Sequence, residues 1–176
     1  AEVALGTVDF ALTELKELGF LIDMGIRDRQ LFKTKQLLRR WIEAYPEQLR
    51  PKLVQGTFRV DARNWWRNIS LAEFGAFWGG EIAATELTGY LKPEKAVIYM
   101  GLLPGKFAFK YKLKKDPNGN VEILRPFWNF QWNAAEMGIV PPLLVYADLM
   151  ATGDSRNIEA AEMMYDEHLA GLVRED

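Results

Sequence analysis

The stretch from Ile139 to Leu169, IVPPLLVYADLMATGDSRNIEAAEMMYDEHL, constrains the chain more than any other. It reads as two helices joined by a tight polar turn. Pro141-Pro142 starts an apolar helix over Leu143–Met150, and Thr152-Gly153-Asp154 ends it sharply. Asp154 or Ser155 then suits the N-cap of a second helix, with Glu159 near its positive end. Ile158, Ala161, Tyr165, His168 or Leu169, and Leu172 recur at helical spacing, so one face is expected to be buried and the other acidic. A hairpin of this kind builds a core and by itself names no chemistry.

The net charge of −2 hides an asymmetry along the chain. Residues 24–52 carry eight Lys/Arg against three Asp/Glu, and residues 53–128 carry eleven against seven. Residues 129–176 carry two against nine, so the chain offers a basic and an acidic surface, one of them suited to an anionic partner. Two solvated faces of opposite sign are the plainer alternative. With no cysteine, neither a disulfide framework nor a thiolate metal site is open to it. No apolar run reaches the roughly 20 residues of a membrane helix and no signal peptide is visible, so a cytoplasmic protein without a membrane contact is expected. The chain opens inside a helical pattern without an initiator Met, and its true N-terminus is expected to lie upstream.

At the front, Thr7 is placed to cap a helix carrying Val8, Leu12, Leu15 and Leu18, and Gly19 to stop it. Short β-compatible runs, Phe20–Met24 and Gln30–Phe32, bracket a basic tip. A second helix over Lys33–Tyr45 buries Leu37, Leu38, Trp41, Ile42 and Tyr45, with Pro46 closing it. This order, with the pattern G-T-V-x-x-A-L-x-x-L-x-x-x-G-F, resembles the recognition helix and wing of a winged helix-turn-helix. The resemblance implies that Thr7, Asp9 and Lys16 face DNA on the helix, with Arg27 and Arg29 on the wing and Lys33 and Lys35 beside it. A dimerisation or protein-binding unit is the alternative, and Asp9, Glu14 and Glu17 do give the first helix an acidic surface.

Residues 47–57 read as a linker between a first domain, 1–48, and a second, 57–176. In the second, Phe58-Arg59-Val60 is a candidate strand and Trp65-Trp66 a candidate buried pair. A helix is expected over Glu81–Tyr90, a central strand over Ala96–Met100, and an alternating strand over Phe107–Leu113. The turn at residues 116–120 then returns a partner strand, Val121–Phe127. The fold class is α+β: a partial winged helix, then a small mixed sheet covered by helices and closed by the C-terminal α-hairpin.

No catalytic motif appears. The single histidine, His168, sits in a helical stripe with no placed nucleophile, and no phosphate-binding loop, HExxH or GxSxG occurs. A restriction-nuclease-like core would want an acid-x-Lys on a strand, whereas Glu122 continues Ile-Leu-Arg. Three phrases carry a family resemblance: LLRRWIEAYPEQLRPKL (37–53), WGGEIAATELTGYLKP (78–93) and PLLVYADLMATGDSRNIEAA (142–161). They resemble the AbiEi-type antitoxins and transcriptional regulators of type IV toxin–antitoxin systems. That resemblance implies a non-enzymatic repressor of its own operon that binds operator DNA and needs no cofactor or metal. It also implies a cognate nucleotidyltransferase-like toxin, countered functionally rather than in a stable complex. The family-specific polar cluster it implies is Gly79, Gly80, Glu81, Thr88, Tyr146, Asp148, Asp154, Arg156, Asn157 and Glu159. On the residues alone, Arg156 is placed to pair with Glu81 or Asp148, and the cluster reads either as a structural polar network or as a ligand or partner surface. Two other readings stay open. One is a metal-dependent nuclease-like or nucleotide-handling enzyme on Glu81, Asp148 and Glu159, which must then converge. The other is an interaction module using Phe127-Trp128-Asn129-Phe130-Gln131-Trp132 as an exposed anchor.

Overall fold

The computed structural model describes residues 5–25, 28–62, 64–128, 130 and 132–173. Helix α1, Leu5–Glu17, ends in a Schellman motif: Phe20 N–H donates to Leu15 O (2.8 Å) and Gly19 N–H to Lys16 O (2.9 Å), with Gly19 at φ 72°. Thr7 lies inside α1 rather than at its cap. The hairpin follows as β1, Leu21–Asp23, paired antiparallel with β2, Arg29–Leu31. Helix α2 spans Thr34–Ala44; of the five side chains expected to be buried there, only Tyr45, just past its end, is fully buried, and the other four are half-buried.

Pro46 does not close this helix. The chain continues through a wide π turn over Tyr45–Leu49 into α3, Arg50–Leu53, with Arg50 N–H donating to Tyr45 O. A proline in an ordinary α-helix clashes with the carbonyl four residues back; widening one turn relieves that clash and costs no hydrogen bond that Pro46 had to give. Residues 47–57 are therefore helix and strand, not linker: β3 begins at Val54 and runs to Arg59.

Two single 3-10 turns, at Trp65–Asn68 and Ala72–Phe74, lead to β4, Phe77–Gly79, and α4, Gly80–Thr88. Trp65 and Trp66 are half-buried rather than a buried pair; Trp65 meets the rings of Trp78 (6.2 Å) and Tyr111 (6.3 Å). Next come β5, Ala96–Tyr99, α5, Gly105–Lys110, β6, Lys114–Lys115, and β7, Val121–Leu124. The sheet order is β4-β5-β7-β3-β6, parallel only between β5 and β7. Every residue of β5 is buried, as its unbroken apolar sequence requires.

The alternation over Phe107–Leu113 is helical. Phe107 and Tyr111 sit one turn apart with rings at 4.8 Å, Phe107 also meets Phe74 at 5.0 Å, and Phe109 points outward. Val121–Leu124 accordingly pairs with β3 and β5 instead of a 107–113 strand. Helix α5 ends in a second Schellman motif, Leu113 N–H to Ala108 O at 2.9 Å and Lys112 N–H to Phe109 O at 3.2 Å, with Lys112 at φ 53°. Glycine holds that backbone without a Cβ penalty, so Lys112→Gly is expected to raise stability by about 1 kcal/mol, read as a higher urea midpoint at unchanged slope.

Finally α6, Pro142–Met150, and α7, Ser155–His168, form the C-terminal hairpin, packed with α4 over β4 and β5. Asp154 caps α7 by accepting from the N–H groups of Arg156 (3.0 Å) and Asn157 (3.2 Å), an interaction that contributes about 1 kcal/mol. The buried stripe of α7 is Asn157, Ala160, Ala161 and Met164, continuing to Leu169; Ile158 and Tyr165 flank it and Leu172 is exposed. Among the described residues no helix is long and apolar enough to cross a membrane. The architecture is α+β.

Candidate functional site

The polar residues of the second half gather into two buried networks. The first is centred on Asp148 of α6, 2 % exposed. Its Oδ1 accepts from the Tyr45 hydroxyl (2.7 Å), the Tyr99 hydroxyl (3.1 Å) and Arg50 Nε (3.3 Å), and its Oδ2 accepts from Tyr99 (3.1 Å). The two hydroxyls lie 2.8 Å apart. Arg50 then reaches Glu122 of β7 with both terminal nitrogens, at 3.1 and 2.5 Å. The π turn brings Tyr45 and Arg50, five residues apart, to the same carboxylate. Gly79 lets the start of α4 close on the cluster: a Cβ there would stand 2.7 Å from the Tyr99 ring and 2.9 Å from Asp148 Oδ2. The start of α4 thereby lies beside the carboxylate.

Burial pushes the Asp148 carboxyl above the ordinary range, with Arg50 foremost among the groups that draw it back. Burial, then the nearby Asp148 charge, pushes both the Tyr45 and Tyr99 hydroxyls far up. Burial works against the Arg50 charge, but Glu122 and Asp148 outweigh it and hold it firmly protonated. Neither tyrosine ionises near neutral pH, so the cluster offers no activated nucleophile; it is a satisfied hydrogen-bond network that locks α3, α6, β5 and β7 together.

The second network is centred on Glu81 of α4. Its Oε2 accepts from the backbone N–H of Glu94 (2.6 Å) and Lys95 (3.3 Å), and its Oε1 from Asn157 Nδ2 (3.1 Å). Arg156 pairs with Glu81 at 3.6 Å and Glu94 at 3.0 Å, and donates to Lys92 O at 3.2 Å. Of the two partners considered for Arg156, Glu81 is the actual one, and Asp148 is held by Arg50. A cavity of about 610 Å³ opens between the networks, lined by Arg50, Glu81, Lys95, Glu122, Asp148 and Thr152 among others.

The other members of the expected cluster stand apart. Thr88 closes α4 locally, donating to Ala84 O (2.8 Å). Tyr146 meets the Tyr165 ring at a tilt (5.8 Å) in a separate groove between α2 and the C-terminal hairpin. Glu159 is exposed and bonds Tyr90, raising that hydroxyl's pKa. Glu81 and Asp148 line one cavity but are held by different partners, Glu159 is not part of that lining, and no group of three acidic or histidine side chains among the described residues is placed to hold a metal. The enzyme reading loses its constellation. Tyr45, Arg50, Tyr99 and Glu122 were missed as site residues; the signal was a tyrosine directly before a proline inside an otherwise helical run.

The aromatic segment is mostly structural. Trp128 lies 5.4 Å from Tyr99 and Trp132 5.0 Å from Phe77, both half-buried, and Trp132 Nε1 donates to Ile139 O at 2.8 Å. Phe127 and Phe130 stay exposed, while Asn129 and Gln131 lie outside the described residues.

In the first half, Thr7 and Asp9 are exposed on α1. Lys16 and Arg29 converge on Asp23 at 2.5 and 3.5 Å, and the Lys16 hydrogen bond holds the Asp23 carboxyl below its usual range. Lys33 takes a left-handed backbone at the entry to α2. Lys35 lines the groove shared with Tyr146. Arg27 lies outside the described residues.

Residues 30–170 match the family model described as "Transcriptional regulator, AbiEi antitoxin, Type IV TA system". The chain belongs to the AbiEi antitoxin family. No curated protein and no solved structure matches it. The match spans both networks and starts at the second strand of the hairpin, so α1 and β1 precede it.

Proposed function

We propose that this protein is an antitoxin that represses its own operon, with residues 1–48 acting as part of a winged-helix DNA reader and residues 57–176 as the antitoxin domain. The observation that carries this reading is the family match across residues 30–170. The helix–hairpin–helix order of α1, β1–β2 and α2 supports the DNA-binding part, with Lys16, Arg29 and Lys33 exposed around one hairpin. Thr7 and Asp9 would then approach base edges, and Arg27 with Lys35 would extend the phosphate contacts. The antitoxin domain counters a nucleotidyltransferase-like toxin in the bacterial cytoplasm without forming a stable complex. Its two buried networks, the first of which also draws on Tyr45 and Arg50 from the preceding segment, give that domain one rigid arrangement and carry out no chemistry.

A titration against the upstream region of its own gene, at two salt concentrations and against random duplex, tests the repressor reading. Selective binding is expected to weaken with salt. Arg29→Ala with Lys33→Ala is expected to weaken it at least tenfold and to lower the salt slope by about 2. Equal affinity for random duplex overturns the proposal.

A further inference from the structure

The segment from Leu102 to Lys115 belongs to neither network and stands out on the surface. Phe109 is 88 % exposed and Leu102 82 %, the two most exposed large hydrophobic residues among those described. Five lysines lie in the same segment, Lys106, Lys110, Lys112, Lys114 and Lys115, all exposed. On α5, Lys106, Phe109 and Lys110 occupy positions i, i+3 and i+4, so they share the outer face while Phe107 anchors the inner one. Lys112 follows in the turn, in the left-handed conformation that a lysine adopts only at a cost in stability. Lys114 and Lys115 continue along β6, at the edge of the sheet. Two of the five have acidic neighbours: Lys110 lies 3.8 Å from Glu73, and Lys114 lies 2.8 Å from Asp61. Both of these pairs are solvent-exposed and yield readily to a stronger anion.

We infer that α5 and its flanks form a binding site for single-stranded nucleic acid, with Phe109 as a stacking platform and the lysines following the phosphate backbone. An open aromatic ring framed by cations is the combination that holds unpaired bases: the ring takes the base face and the lysines release counterions from the phosphates. A duplex keeps its bases stacked on one another and has no face to give Phe109. A lipid surface is a poorer match, because a helix of six residues with one outward aromatic lacks the broad apolar face that interfacial helices insert. The site shares no residue with the α1–hairpin surface and does not depend on operator recognition.

Fluorescence anisotropy of the full chain with short labelled oligouridylate and oligothymidylate tests the site, with a random duplex and phosphatidylcholine–phosphatidylserine vesicles as competitors. Single strands are expected to bind in preference to duplex. Phe109→Ala and Phe109→Leu are both expected to weaken binding about 5- to 100-fold, and Phe109→Trp to retain it. Lys106→Ala with Lys115→Ala is expected to lower the salt slope by about 1.4. All three positions are exposed enough for the variants to fold, and Lys112→Gly, expected to be the more stable protein, is expected to bind more weakly. Undiminished binding by Phe109→Leu, equal affinity for duplex, no single-strand binding, or displacement by the vesicles alone overturns the inference.

Discussion

Arg50→Ala is expected to destabilise the protein by about 3–5 kcal/mol, the cost of leaving a buried carboxylate without its cation. That is a large share of the roughly 5–15 kcal/mol that holds a domain of this size together. Asp148 is fully buried and Glu122 half-buried, and Arg50 is the cation that reaches both. The loss depends on pH in a direction set by Asp148. Its folded pKa lies above the ordinary 3.8, so between that value and the raised one the folded protein keeps a proton that the unfolded chain has released. Stability from this group is therefore complete below the ordinary value and is lost as pH rises through the folded one. Without Arg50 the pKa moves further up and the window of loss widens. The penalty of Arg50→Ala is smallest in acid and grows towards neutral pH, while Asp148→Asn removes the slope. Urea unfolding of the three proteins across pH ~4–8 measures this. Subtracting wild type from each variant cancels the opposing contributions of Asp23, Asp61 and Asp116, whose pKa values are lowered. A constant penalty for Arg50→Ala at every pH contradicts the account.

Gly79→Ala is expected to cost about 2–3 kcal/mol through overpacking alone. Gly79 has φ −120° and ψ −171°, which any residue adopts, so no backbone strain enters. The added methyl would press on the Tyr99 ring and Asp148 Oδ2, and neither can retreat while Tyr45, Trp128 and Arg50 hold them. Gly105→Ala is the matched control: its Cβ meets nothing within 4 Å at the start of α5, and no loss is expected. Thermal unfolding of the two variants side by side separates crowding at one glycine from a general intolerance of substitution.

The cluster around Asp148 shows where reading the chain alone stops. Asp148, Gly79 and Glu81 are marked by the family phrases, and Gly79-Gly80 reads as a point of close approach before its partners are known. What they approach is not legible, because Tyr45, Arg50 and Glu122 belong to segments far away in the chain. Pro46 misleads most: proline normally stops a helix, and here one widened turn absorbs it. The alternation at Phe107–Leu113 misleads for another reason. Over so few residues, Phe107 and Tyr111 satisfy a helical period as well as a strand period, and packing on Phe74 decides between them.

Local chemistry by itself determines the C-terminal hairpin with its Asp154 cap, the stop of α1 at Gly19, the buried strand β5 and the α+β class. Each depends on propensities, turn residues and apolar periods that act within a few residues of one another. The tertiary structure alone decided which residues share the Asp148 carboxylate, that Glu81 answers to Arg156 and Asn157, and that Phe109 faces solvent. Those outcomes are choices of partner among distant segments, and a buried charge or ring takes whichever partner the packed core brings within reach.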